Sequence, residues 1–151
     1  MPLLIRITTV PVSMQVLLKG QMKFMQEQGF EVVMISSDGP EVKALEAQEQ
    51  CRHLSVPFTR KISPVQDLVC LVKLIRIFRK LKPDIVHTHT PKAGLLGMWA
   101  AHLSGVPVRL HTIAGLPWVE TTGFMRKLLR FVEKLTAMPA SRIYPNSMVQ
   151  Q

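Results

Sequence analysis

Residues 83–97 place His87, Thr88, His89, Thr90 and Lys92 between a short apolar run and a small-residue run. Ile85 and Val86 read as a buried strand, and Ala93-Gly94-Leu95-Leu96-Gly97 as a helix, so the polar side chains fall at the junction. In an open parallel sheet such a junction lies at the carboxyl end of a strand, where ligands bind. Thr90 suits the N-cap. Pro91 suits the first helical position, where a missing N–H costs nothing. The next backbone N–H groups, the positive end of the helix dipole and the Lys92 ammonium form a seat for a phosphate, a carboxylate or a polar sugar. Ala93, Gly94, Gly97, Ala100 and Ala101 let the helix approach the sheet closely.

His87 and His89 are two apart, so on a strand they share a side and Thr88 takes the other. That spacing raises a metal site, but a third ligand of the right kind is not apparent nearby and no metal is expected. One histidine is expected to order the turn and the other to reach the crevice. His111 ends a second apolar stretch, 108–112, where a strand empties into a loop. Its imidazole either contacts a ligand there or satisfies backbone groups at the strand end. Arg60 follows a short strand and could pair with an acidic or phosphorylated group, or stay solvated. Trp118, in a loop with Gly115 and Pro117, could stack on a ring or anchor the loop.

Strand and helix alternate along the chain, the pattern of a parallel sheet covered on both faces, and the expected fold class is α/β, a three-layer α/β/α sandwich. Strands are expected at 3–10, 31–37, 54–58, from 85, at 108–112 and at 141–144. A first helix is expected over 13–28, with Val16, Leu17, Met22, Phe24 and Met25 apolar and Gly29 as its stop. A polar helix over 41–51 follows. Ser63-Pro64-Val65-Gln66 matches a capping box and opens a helix to about Leu81. Leu68, Leu71, Val72, Leu74, Ile75 and Phe78 are its expected buried stripe; Lys73, Arg76, Arg79, Lys80 and Lys82 are its basic outer face. A last helix, 124–138, sets Arg126, Lys127, Arg130 and Lys134 against Met125, Leu128, Leu129, Val132 and Leu135, with Phe124 and Phe131 widening the apolar stripe. It reads either as an ordinary amphipathic helix or as one that lies on an anionic membrane.

A chain of 151 residues supports one domain and buries roughly 70% of its extended surface on folding. Its 47% hydrophobic and 19% charged residues suit a globular protein. No apolar run approaches the length of a membrane span, and Arg6 interrupts the short apolar start, so a cytoplasmic protein is expected. Cys51 and Cys70 lack metal-ligand spacing and read as reduced thiols. Nineteen basic against ten acidic residues give a formal charge of +9, which favours an acidic partner without choosing one. Nucleic acid is not expected, because no recognition motif is present and few aromatics accompany the basic residues. No Gly-x-Gly-x-x-Gly follows the first strand, which disfavours other dinucleotide-binding classes. The chain stops four residues after Ser147, where the alternation asks for another helix; part of a longer protein is expected.

Four motifs carry a resemblance: Lys82-Pro83-Asp84-Ile85-Val86-His87-Thr88-His89, Thr90-Pro91-Lys92-Ala93-Gly94, His111-Thr112-Ile113-Ala114-Gly115-Leu116-Pro117 and Tyr144-Pro145-Asn146-Ser147. Together they resemble the amino-terminal domain of glycosyltransferase family 4, retaining sugar transferases of the two-domain GT-B fold common in capsule, O-antigen and exopolysaccharide assembly. The resemblance implies a Rossmann-like domain spanning 1–151 that holds the acceptor, a saccharide that is often lipid-linked. It also implies a nucleotide-sugar donor bound through paired glutamates of a carboxyl-terminal half, with no metal or other cofactor. Little activity is expected without that half. His111 matches the family's histidine near the donor sugar and its phosphates, where it would meet a sugar hydroxyl or a departing phosphate. Arg60, Thr88, His89, Thr90, Lys92, Gly94, Gly115 and Trp118 become candidates for acceptor or phosphate contact. Arg126, Lys127, Arg130 and Lys134 become candidates for contact with the inner face of the plasma membrane. The family's glycine-rich first loop is matched poorly, because Thr9-Val10-Pro11-Val12-Ser13-Met14 holds no glycine. The competing reading is a non-catalytic module that docks on a membrane or a partner.

Overall fold

The computed structural model describes residues 2–59, 63–113 and 123–145. Six strands, β1 (Leu3–Ile7), β2 (Glu31–Ser36), β3 (Arg52–Ser55), β4 (Ile85–Thr88), β5 (Val108–Ile113) and β6 (Arg142–Pro145), form one sheet in the order β3-β2-β1-β4-β5-β6. Every pairing is parallel. The helices are α1 (Pro11–Leu17), α2 (Gln21–Glu27), α3 (Val42–Glu49), α4 (Pro64–Leu81), α5 (Pro91–Leu103) and α6 (Gly123–Ala137). From β1 the chain steps outward to β2 and β3, then crosses back and steps the other way through β4, β5 and β6. Right-handed crossovers therefore put α1, α2 and α3 on one face and α4, α5 and α6 on the other. The two cores follow this division. Leu4, Val32 and Met34 pack on Met14, Leu18, Met22 and Leu45, whereas Ile5, Ile7, Val33 and Val86 pack on Cys70, Leu74, Phe78, Ala93 and Met98. Cys70 belongs to one core and Cys51 packs on the other, and both thiols are free.

The expected α/β/α architecture is the observed one, with several local differences. The single helix expected over 13–28 is two, broken at Gly20, whose φ of +79° no ordinary helix tolerates. The break exposes backbone donors at the start of α2, and a carboxylate from another helix takes them. Glu49, fully buried, accepts from the N–H groups of Gly20 at 2.9 Å, Met22 at 3.2 Å and Lys23 at 3.4 Å, and from the Gln48 amide at 3.0 Å. Replacing it with alanine would leave the buried Met22 N–H unpaired and take their acceptor from Gly20 and Lys23. Glu49→Ala should cost about 2–3 kcal/mol, seen as a lower urea midpoint at unchanged slope, and Glu49→Gln should cost less.

Val16 and Phe24, expected as apolar contacts, are exposed instead. In α4 the expected buried stripe is partly turned outward: Cys70, Leu74 and Phe78 are buried, while Leu68 and Val72 face solvent. The reason is rotational. α4 contacts α5 as well as the sheet, and the face it buries runs 70, 74, 78. The capping box at Ser63 does not close, for Ser63 makes no side-chain cap and the Gln66 amide donates to Pro57 O at 2.8 Å. β3 begins at Arg52, ahead of the expected Leu54, and β1 ends at Ile7, short of Val10.

Candidate functional site

The sheet reverses its winding between β1 and β4, so a crevice opens at their carboxyl ends. The loops that leave these strands are tied to each other there. Thr90 Oγ1 accepts from the Thr9 N–H at 3.0 Å and lies 2.7 Å from Thr9 Oγ1. Thr90 occupies the expected N-cap position of α5 in extended geometry, yet its hydroxyl caps nothing, because Thr9 has claimed it. Lys92 likewise turns away from the open end of the helix. Its ammonium reaches Asp67 of α4 at 3.0 Å and Thr59 Oγ1 at 3.1 Å, and so its charge is matched by a carboxylate.

Three of the expected site residues do converge. β4 and β5 pair Thr88 with His111, and α5 lies across them. His111 Nδ1 is 2.8 Å from Thr88 Oγ1. Gly94 covers the ring so closely that a Cβ at this position would sit 2.3 Å from His111 Cε1. One turn later, a Cβ on Gly97 would sit 2.6 Å from Thr88 Cγ2. The small residues of α5 are thus what admits an imidazole between helix and sheet. Thr88 Oγ1 can donate to Leu110 O at 3.5 Å, which leaves it to accept from Nδ1–H and points the lone pair of His111 toward Nε2. Among the described residues Nε2 has no hydrogen-bond partner. Burial holds the His111 pKa down to about 4, against a smaller upward push from the Thr88 backbone, so the ring is neutral near pH 7. A neutral imidazole with a free Nε2 accepts a hydrogen bond from a hydroxyl; it does not offer a positive charge to a phosphate.

The opposite face of the same strands carries a second polar group. His87 Nε2 lies 2.7 Å from Thr112 Oγ1, and the His87 and His89 rings stack at 4.2 Å. His89 Nε2 is 3.4 Å from Arg6 Nη1, which also donates to Gln21 Oε1 at 2.7 Å. Burial keeps both imidazoles well below the usual histidine range, and the Arg6 charge adds to the effect. His89 therefore packs under β1 and the start of α2 on the face away from His111. Among the described residues no group of three or more side chains is arranged to hold a metal. Arg6, Gln21, Thr9 and Thr112 had no place in the expected site. Arg6 did carry a signal, as a charge inside an otherwise apolar buried strand, Leu3-Leu4-Ile5-Arg6-Ile7.

Arg60, Gly115 and Trp118 lie outside the described residues. On α6, Lys127, Arg130 and Lys134 are exposed, and nothing is described of the Arg126 side chain. Phe131, expected in the apolar stripe, is 57% exposed and lies between the basic residues, with Met138 65% exposed one turn beyond Lys134. The helix is held from its other side, where the Trp99 indole N–H donates to Leu135 O at 2.9 Å.

Residues 6–147 match the family described as glycosyl transferase 4-like. The chain is 37% identical over 127 residues to the capsular polysaccharide biosynthesis glycosyltransferase CapM of Staphylococcus aureus, covering 84% of this chain and 33% of that protein. It is 35% identical over 116 residues to an Escherichia coli UDP-Gal:alpha-D-GlcNAc-diphosphoundecaprenol alpha-1,3-galactosyltransferase, covering 76% of this chain and 29% of that protein. The chain thus spans about a third of the length of these relatives. In fold it is similar to MurG of Acinetobacter baumannii, with a TM-score of 0.67 at 18% identity over 96% of this chain and 41% of that one. The parallel sheet, the crevice at its switch point and the match over nearly the whole chain agree, and the chain belongs to the glycosyl transferase 4-like family, with the Rossmann-like fold of the amino-terminal half of GT-B proteins.

Proposed function

We propose that this chain is the acceptor-side half of a retaining glycosyltransferase that moves a sugar from a nucleotide donor to a lipid-linked saccharide during surface polysaccharide assembly. The observation that carries the reading is His111: a neutral imidazole gripped by Thr88 and Gly94 at the carboxyl end of the sheet, with Nε2 unclaimed. In this role His111 receives a hydroxyl of the sugar in flight and orients it, while a second lobe binds the nucleotide. Thr88 fixes the ring and Thr90 holds the two crevice loops together, so both position rather than touch. Arg60, Gly115 and Trp118 remain the proposed acceptor contacts, whereas Lys92, paired with Asp67, positions the start of α5 against α4. The names of two relatives, a capsular polysaccharide glycosyltransferase and a galactosyltransferase acting on a diphosphoundecaprenol-linked sugar, support this reading.

The test is transfer by the full-length protein from a panel of nucleotide-sugars, with His111→Ala beside the wild type. A loss of roughly 100-fold in kcat/KM, about 2.7 kcal/mol, is expected with an intact fold. Unchanged turnover would remove His111 from the reaction.

Contact with an anionic membrane is the second element of the proposal. No helix among the described residues is long and apolar enough to cross a bilayer. Two helices instead carry basic and apolar side chains together on an outward face. On α6 these are Lys127, Arg130 and Lys134 with Phe131 and Met138; on α4 they are Lys73, Arg76 and Lys80 beyond Val65, Leu68, Val69 and Val72. Such a face gains from apolar insertion and from anionic headgroups at once. In liposome sedimentation, binding should need anionic lipid and weaken when Arg126, Lys127, Arg130 and Lys134 are neutralised. Equal binding to neutral vesicles would refute the charge-driven contact.

A further inference from the structure

Two charged side chains are buried among the described residues, Glu49 and Arg6, and they differ in how they are satisfied. Glu49 has four donors around its carboxylate. Arg6, 7% exposed, uses one of its three nitrogens: Nη1 donates to Gln21 and touches His89. Its Nε–H is buried without a partner. No carboxylate among the described residues pairs with it, and its ring neighbours His87 and His89 supply no negative charge. Burial lowers the guanidinium pKa only to about 10, so the group is a cation near pH 7. An isolated buried cation costs several kcal/mol, and a planar fork of five donors is suited to an oxyanion above other partners. The residues of this face nearest to solvent are on β4 and β5, where His87, in register with Arg6, and Thr112 are only half-buried.

We propose that Arg6, with its Nη1 end held by Gln21 and His89, is the seat of an oxyanion whose oxygen accepts the Nε–H hydrogen bond. A phosphate or carboxylate group has the required chemistry. Its source is a small anion in solution. This proposal does not depend on the transfer reaction, because its readouts are binding and stability.

The experiment is thermal unfolding of the full-length protein in increasing inorganic phosphate at constant ionic strength, for the wild type, Arg6→Met and Arg6→Lys. With a solution anion, the wild-type melting temperature climbs by roughly 3–6 °C per tenfold rise in phosphate above the dissociation constant. The climb is absent in Arg6→Met and reduced in Arg6→Lys. The proposal is overturned if phosphate has no effect on the wild-type melting temperature. It is equally overturned if phosphate stabilises Arg6→Met as much as wild type. Should Arg6→Met fail to fold, Arg6→Lys decides: a phosphate response equal to that of wild type overturns the seat, and a reduced one supports it.

Discussion

Acidification from pH 7 to about pH 4.5 should strip this protein of about 8 kcal/mol of stability before its carboxylates are fully protonated. His87, His89 and His111 are neutral in the folded state, because burial lowers the pKa of each from 6.5, to about 4 for His111 and further for the other two. In the unfolded chain each takes up a proton near pH 6.5. The unfolded state thus binds more protons through the acid range, and stability falls as pH drops below 6.5 toward the folded-state values. It is complete above that window. Each imidazole contributes a slope of about 1.4 kcal/mol per pH unit and the three together about 4. Two units of that slope remove about 8 kcal/mol, the whole stability of a domain in the lower half of the typical range of about 5–15 kcal/mol. Melting temperatures between pH 7.5 and 4.5 measure the effect, and His87→Asn with His89→Asn should flatten the slope by nearly two protons. A melting temperature that holds constant from pH 6.5 to 5 would mean that the rings are solvated and the prediction is wrong.

Gly94→Ala is the substitution expected to damage both stability and the site. In an ordinary helix interior this change stabilises by up to about 1 kcal/mol. Here the new methyl would enter the His111 ring, at 2.3 Å from Cε1 and 2.7 Å from Nδ1. Thr88 and β5 close off the other side of the ring, so it can yield only by giving up its bond to Thr88 or by lifting α5 from the sheet. We expect a loss of about 1–3 kcal/mol and a fall in kcat/KM comparable to that of His111→Ala. The decisive comparison is the double variant. With His111→Ala already present there is no ring to strike, and Gly94→Ala should then be neutral or stabilising. A cost that persists in that background would place the conflict elsewhere.

Both predictions turn on contacts whose participants the sequence named without their geometry. The small-residue run Ala93-Gly94, Gly97, Ala100-Ala101 announces close helix approach, since a helix face without side chains has no other evident use in a core. It does not say that the approach is onto an imidazole. The histidine at the end of 108–112 was legible as a candidate because a strand end in a parallel sheet is where ligands go. Its protonation state was not, because that depends on how deep the neighbours bury it. Lys92 reads as an open cation by position and is an ion pair in space, because Asp67 belongs to a helix that only packing brings alongside.

Taken alone, the sequence determined the alternation of strands and helices, the parallel sheet that alternation requires, and the strand ends where polar side chains collect. These follow from side-chain period and from proline and glycine placement, which are local along the chain. Tertiary structure alone decided the rest. Thr90 is spent on Thr9 across 81 residues, Arg6 meets His89 across 83, and Glu49 caps a helix that the periodicity ran together with its neighbour. Whether Leu68, Val72 and Phe131 face inward was settled by the rotation of each helix against its neighbours. Partners so far apart in sequence are chosen by strand order and register, and no local pattern of residue types encodes those.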